Sequence, residues 1–213
     1  MVIAIDGPAA SGKSSVARKL ARRLGFSYVN SGAMYRAVTW ELLREQIDPA
    51  QPERVEAAMA RMKLDSGFSE NGDSFIRINA EIPDIELRQI EVNQAVSSYS
   101  AIPAVRHQIG LRLRSMCDGI DVVMEGRDIG TAVFPDSLHK FYLDASPEIR
   151  RRRRAAQGQD DSIEHRDKID STRRVAPLVV AADAHVIDTS HLDIEGVVER
   201  IFGILKKSGI PAE

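Results

Sequence analysis

Gly7-Pro8-Ala9-Ala10-Ser11-Gly12-Lys13-Ser14 satisfies the phosphate-loop pattern G-x-x-x-x-G-K-[ST] at every position. The residues on either side give the pattern its meaning. Val2-Ile3-Ala4-Ile5 ahead of it is a short apolar run, as a buried parallel strand requires. Behind it Val16, Leu20 and Leu24, with Ala17 and Ala21, recur at helical spacing up to Gly25, a helix stop. Strand, glycine loop and helix predict an α/β fold with a phosphate cradle at its first strand–helix junction. Gly7 and Gly12 let the backbone turn and come close to a ligand, so that successive N–H groups converge on phosphate oxygens. The helix that starts there adds its positive dipole end. Lys13 is placed to reach the β- and γ-phosphates of a nucleotide, and Ser14 to offer its hydroxyl to Mg²⁺.

Further along, Phe26-Ser27-Tyr28-Val29 reads as a second strand, and Asn30 opens a helix running to about Gln46 with Val38, Trp40 and Leu42 on or near its apolar face. Ser31 is expected to cap that helix. Arg36, on its first turns, is either a phosphate partner or a surface arginine. Residues 53–62 read as a short helix. In 63–88, Asn71-Gly72 is a turn signal and Ile76, Ile78 and Ala80 alternate with polar neighbours, predicting a small antiparallel insert beside the main sheet. Helices are expected over 86–95 and 103–116, joined by 96–102. Val122-Val123-Met124 is a third core strand, 139–145 holds a fourth and His185-Val186-Ile187-Asp188 is a fifth.

Open parallel sheets bind ligands beyond the carboxyl ends of their strands. Arg127-Asp128, flanked by Gly126 and Gly130 just after the third strand, is therefore a site candidate, with a salt-bridged turn as the alternative. The arginine run Arg150 to Arg154 reads as a solvated helix face from which one or two members could contact an acidic ligand. Residues 157–171 are polar and without apolar periodicity, and read as a mobile lid that includes Arg166, Asp167 and Asp170 and leads into Arg173-Arg174. Ile194, Val197, Val198, Ile201 and Leu205 make an amphipathic closing helix.

Composition narrows the class. The chain has 213 residues, 43% hydrophobic and 28% charged, as a soluble globular α/β domain has. No apolar run approaches the length of a membrane span, and no basic n-region precedes the first strand, so neither a membrane anchor nor a signal peptide is expected. The single cysteine, Cys117, excludes an internal disulfide, fits a cytoplasmic setting and is expected to be a packing residue. A net charge of −2 argues against a general binder of nucleic-acid polymers. The histidines lack metal-ligand spacing, and no long apolar stripe is left over, so a monomer is expected.

A phosphate loop, a parallel sheet and an arginine-rich polar lid together point to phosphoryl transfer. The transition state spreads negative charge over its oxygens, and arginines that close over it are worth ~10³–10⁵ in rate. Closure also keeps water out as a competing acceptor.

Four segments, Gly7 to Ser15, Ser31-Gly-Ala-Met-Tyr-Arg36, Gly126-Arg-Asp-Ile-Gly-Thr-Ala-Val-Phe-Pro135, and Asp170-Ser-Thr-Arg173 followed by Ala176-Pro-Leu, resemble the bacterial cytidylate kinases. These nucleoside-monophosphate kinases pass the γ-phosphate of ATP to CMP or dCMP. The resemblance runs in order over nearly the whole chain, and its second and third segments are far more specific than the phosphate loop. It implies a P-loop three-layer fold with a five-stranded parallel sheet, a small antiparallel β insert and a lid. It also implies a core ATP-binding domain (1–30, 98–154 and 175–213), a nucleoside-monophosphate-binding domain (31–97, with the insert at about 63–88) and a lid (155–174). On matching positions, Gly7, Pro8, Ala9, Ala10, Ser11, Gly12, Lys13, Ser14 and Ser15 would hold the ATP phosphates, with Ser14 near Mg²⁺. Ser31, Arg36, Arg127 and Arg173 would hold the CMP phosphate, Ser97, Arg106 and Asp128 would read the cytosine edge, and Asp170 would hold the ribose hydroxyls. Arg166 and Arg173 would approach the transferred group, making Lys13, Arg127, Arg166 and Arg173 the catalytic set. No Walker-B aspartate stands out, so Mg²⁺ would rest on Ser14, phosphates and water. Another small-molecule kinase of the same fold, or a non-enzymatic nucleotide-binding protein, are the competing readings.

Overall fold

The computed structural model describes residues 1–156 and 163–210. Among them the strands are β1 (Val2–Asp6), β2 (Ser27–Asn30), β3 (Leu64–Phe68), β4 (Ser74–Ile78), β5 (Val122–Gly126), β6 (His139–Asp144) and β7 (His185–Asp188). The α-helices are α1 (Lys13–Leu24), α2 (Ser31–Arg44), α3 (Pro52–Arg61), α4 (Ile90–Ser100), α5 (Pro103–Met116), α6 (Pro147–Ala156), α7 (Ile163–Thr172) and α8 (Ile194–Lys207). Five strands form one parallel sheet and β3 and β4 form the antiparallel insert, as expected, and the order in the large sheet is β2-β5-β1-β6-β7.

Alternation within the strands explains the layers. Ile3, Ile5, Val123, Phe141 and Leu143 face a core completed by Val16 and Leu20 of α1 and Val198 and Ile201 of α8. Ala4, Val29, Val122 and Met124 face the other way, onto Val38 and Leu42 of α2 and Ile109 and Leu113 of α5. Both faces of the sheet's centre are buried, so β1 and β5 read as near-continuous apolar runs, while the edge strand β7 is largely exposed. Each fully buried Leu or Ile contributes about 1.5–3 kcal/mol. Cys117 packs in the second of these cores, and burial pushes its thiol up to about 12, an inert state. No described helix is long and apolar enough to cross a membrane.

Two local expectations are corrected, and part of a third segment proves helical. The cap of α2 is Asn30, whose side chain accepts from Ala33 N–H at 3.0 Å. β2 ends at Asn30 in extended conformation, so Ser31 already lies inside the helix and its hydroxyl donates instead to the Glu125 carbonyl at 2.8 Å. The stretch 96–102 is mostly not a linker, because α4 runs on to Ser100 while 85–88 is a separate short 3₁₀ turn. Buried Val92, Val96 and Tyr99 keep helical spacing and outweigh the serines between and around them. Finally, 163–172 of the expected lid is the regular helix α7, while 157–162 lie outside the described residues. Its buried positions are Ile163, Arg166 and Asp170, so the side it turns inward is mostly charged and leaves no apolar period to read.

Candidate active site

The carboxyl ends of β1, β5 and β2 lie side by side, with Asp6 in register with Gly126 and Glu125 in register with Asn30. A cleft opens beyond them. One wall is the phosphate loop, contributing Ala9, Ala10, Gly12, Lys13, Ser14 and Ser15. The facing side brings Ser31 and Arg36 from α2, Ser97 from α4, Arg127 and Asp128 from beyond β5, Arg166 and Asp170 from α7, and Arg173. Gly7, Pro8 and Ser11 form the underside of the loop and Arg106 stands behind Asp128, so these four expected residues do not line the cleft itself. Gly7 is required for another reason: at φ +150° a Cβ there would fall 2.1 Å from the Leu143 carbonyl oxygen.

Charge defines what the cleft can bind. Six cations line it (Lys13, Arg36, Arg127, Arg154, Arg166, Arg173) against three carboxylates (Glu125, Asp128, Asp170). An excess of partly desolvated positive charge is a site for polyanions. Its electrostatic strain shows at two groups. Burial, with repulsion from Arg127, pulls the Lys13 ammonium down to about 7. Burial, with Arg166 and Arg127 adding repulsion, pulls Arg36 down to about 10. Lys13 meanwhile folds onto its own loop, donating to Pro8 O at 2.6 Å and Ser11 Oγ at 3.3 Å. Bound phosphates would reverse both shifts.

The Ser14 hydroxyl donates to Glu125 Oε1 at 2.8 Å. A hydroxyl and a carboxylate side by side at the phosphate loop are hard oxygen ligands, the chemistry Mg²⁺ selects. Glu125 is not among the residues singled out from the sequence. Its signal was available: an acid ending the apolar run Val122 to Met124, on the strand that the topology places next to β1.

On the facing wall the charged residues interlock. Asp128 accepts from Arg173 Nη2 at 3.0 Å through Oδ1 and from Arg106 Nη2 through Oδ2. Asp170 accepts from Arg127 Nε at 2.9 Å and lies 3.7 Å from Arg173 Nη1. Burial works against the charge on Arg127, but Asp170 more than compensates and holds its pKa above the ordinary value. Arg106 is anchored further by Ser100 O at 3.1 Å and lies over the Tyr35 ring. Arg36 Nε is steered by Asn93 Oδ1 at 3.4 Å, and Asn93 is itself held by the carbonyls of Arg88 and Gln89.

The arginine run splits by helical phase. Arg151 and Arg152 are exposed, as expected of a solvated face. Arg150 donates to Ala9 O at 3.2 Å and pairs with Asp167, Arg153 donates to Thr189 O at 2.7 Å, and Arg154 lines the cleft. Asp167 of α7 in turn accepts from Ala9 N–H at 3.2 Å, tying that helix to the phosphate loop. Tyr35 and Ser100 are cleft residues not singled out from the sequence, whereas Arg154 is the member of the arginine run that reaches the cleft. Of the former two, only Tyr35 carried a signal, standing inside the segment Ser31 to Arg36.

A family model described as cytidylate kinase matches residues 3–207. A cytidylate kinase of Mycobacterium leprae (strain Br4923) is 43% identical over 97% of this chain and 96% of its own length. One from Caldanaerobacter subterraneus subsp. tengcongensis is 42% identical, covering 97% of this chain and 95% of that protein. One from Rhodococcus opacus (strain B4) is 40% identical, covering 99% and 97%.

Proposed function

The chain belongs to the cytidylate kinase family, and on that premise we propose that it moves the γ-phosphate of ATP to CMP or dCMP, giving ADP and CDP or dCDP. The observation that carries this reading is the cleft itself, lined by a phosphate loop, by the polar side chains of Ser97 and Asp128, and by six cations. In this reading the loop N–H groups and Lys13 hold the β- and γ-phosphates, and Lys13 turns from Pro8 O onto them. Ser14 and Glu125 would hold Mg²⁺, which when bound neutralises phosphate charge. Ser31, Arg36, Arg127 and Arg173 orient the acceptor phosphate, and Asp170 takes the ribose hydroxyls.

Cytosine offers an exocyclic amino donor. Ser97 and Asp128 supply the acceptors for it, and Arg106 acts mainly by holding Asp128. Uracil lacks that donor, and a buried acceptor left unpaired costs about 1–3 kcal/mol. Arg166 from α7, with Arg127 and Arg173, faces the phosphate being transferred. Residues 155–174 serve as the lid, 31–97 as the acceptor domain, and 1–30, 98–154 and 175–213 as the core. We further read the protein as a cytoplasmic monomer, in keeping with one buried cysteine. The test is ADP formation with ATP, Mg²⁺ and each of CMP, dCMP, UMP, AMP and GMP. Turnover dominated by CMP and dCMP is expected. Turnover led by another acceptor would shift the reading to a different kinase of this fold, and none at all, with ATP still bound, to a binding protein.

A further inference from the structure

One buried carboxylate beside the cleft has no task in the mechanism. Asp6 closes β1 directly before the phosphate loop and is 5% exposed. Its two oxygens accept from Ile129 N–H at 2.8 Å and Gly130 N–H at 2.7 Å. Those amides open the π-helical turn Ile129–Val133, immediately after Asp128. The side chain thus crosses from the strand that carries the donor loop to the loop that carries the acceptor's base reader. Two charge-assisted bonds to consecutive amides fix both the position and the direction of that turn.

Charge at Asp6 is maintained despite its burial. Desolvation pushes the carboxyl up to about 6, with the Gly130 and Ile129 amides and Lys13 pulling it down and Asp128 pushing it up. It is therefore ionised at neutral pH, when both oxygens can accept. Arg127 is anchored by Gly7 O at 3.1 Å and Asp170 at 2.9 Å, and the Asp128 carboxylate by Arg106 and Arg173, so what Asp6 fixes is the backbone from which Asp128 projects.

We propose that Asp6 is the positioning residue that aims Asp128 at the acceptor base, and so sets selectivity for cytosine although it touches no substrate. This rests on the reading of Asp128 given above. An asparagine at position 6 keeps the size but turns an amide NH₂ toward one of the two N–H donors, removing one bond and the charge. Asp6→Asn is expected to raise KM for CMP, and lower kcat/KM for CMP, roughly tenfold, the usual scale for a lost charge-assisted bond. The same parameters for UMP and KM for ATP should stay within about twofold, because uracil does not use the Asp128 acceptor.

Gly130→Ala disturbs the same turn, through the Lys140 side chain packed on it, and carries the test if Asp6→Asn does not fold. Its Cβ would crowd Lys140 Cγ and Cδ at 3.1 Å and approach Asp6 Oδ2 at 3.5 Å. A fall in the CMP-to-UMP ratio in the folded variant supports the proposal. An unchanged ratio, or an equal loss for CMP, UMP and ATP, overturns it and leaves Asp6 a structural residue. Wild-type protein assayed alongside separates the two levels. If it turns over CMP and the variant keeps its ratio, only the inference fails; if it does not turn over CMP, the functional reading fails and the inference with it.

Discussion

On the donor wall, every group that can cradle a phosphate comes from the consecutive residues 7–15. On the acceptor wall, Asp128 is held by Arg106, 22 positions before it, and by Arg173, 45 positions after it, while Asp170 is held by Arg127, 43 positions away. The donor wall needs little beyond a local backbone shape and one lysine. The acceptor wall is a lattice of buried ion pairs that exists only once α5, the turn after β5 and the end of α7 have packed. The difference teaches where substitutions should strike. Damage on the donor wall should be chemical, and damage on the acceptor wall both chemical and structural.

Lys13→Ala is the strongest way to probe that contrast. It should lower kcat on the order of 10²–10³-fold, the loss typical of removing a preorganised charge from a transition state. The folded state should lose nothing, since burial already pulls the Lys13 ammonium down to about 7. Thermal unfolding at pH 7 beside steady-state kinetics checks both halves, and a large loss of stability would break the contrast. Asp128→Ala should do the reverse, stranding Arg106 and Arg173 without their shared carboxylate. Removing one partner of a buried pair costs about 3–5 kcal/mol, and denaturant unfolding should show that loss together with impaired use of CMP. A fully stable Asp128→Ala would mean that the lattice carries little energy.

Legibility follows the same division. The five core strands, the phosphate loop and the closing helix could be read because hydrophobic alternation, glycine spacing and helical period are local signals. Asn30 replaced Ser31 as the cap because two adjacent residues could both cap, and the strand end decided between them. α7 looked irregular because a helix that turns Arg166 and Asp170 toward a ligand site has no apolar stripe to display. The pairing of Asp128 with two distant arginines left no trace in spacing at all. Asp6 and Glu125 end neighbouring strands one register step apart, Asp6 beside Gly126 and Glu125 beside Ile5, and only the sheet order reveals it.

Two smaller effects sharpen the picture of the donor wall. Glu125→Gln should raise the Mg²⁺ concentration for half-maximal activity about 10–100-fold, the range seen when a supporting metal contact is lost. A magnesium titration at saturating nucleotide measures it, and an unchanged midpoint would remove Glu125 from the metal site. Binding of ATP should also draw a fraction of one proton onto Lys13 between pH 7 and 8. The site holds that ammonium down to about 7 when empty, and phosphate charge raises it again. Calorimetry in buffers of different ionisation heat reports the uptake, which should vanish in Lys13→Ala. By the same linkage, from about pH 7 to pH 10.5 the unfolded chain keeps a proton on Lys13 that the folded chain has lost, so this group's contribution to stability rises with pH.

The central claim is that two walls so differently built face one another closely enough to pass a phosphoryl group between two nucleotides while excluding water. A single-turnover reaction with ATP labelled in its γ-phosphate, in the presence and absence of CMP, tests it most directly. The account predicts label in the β-phosphate of CDP, with little inorganic phosphate whether or not CMP is present. Label released as inorganic phosphate at a rate that ignores CMP would contradict it.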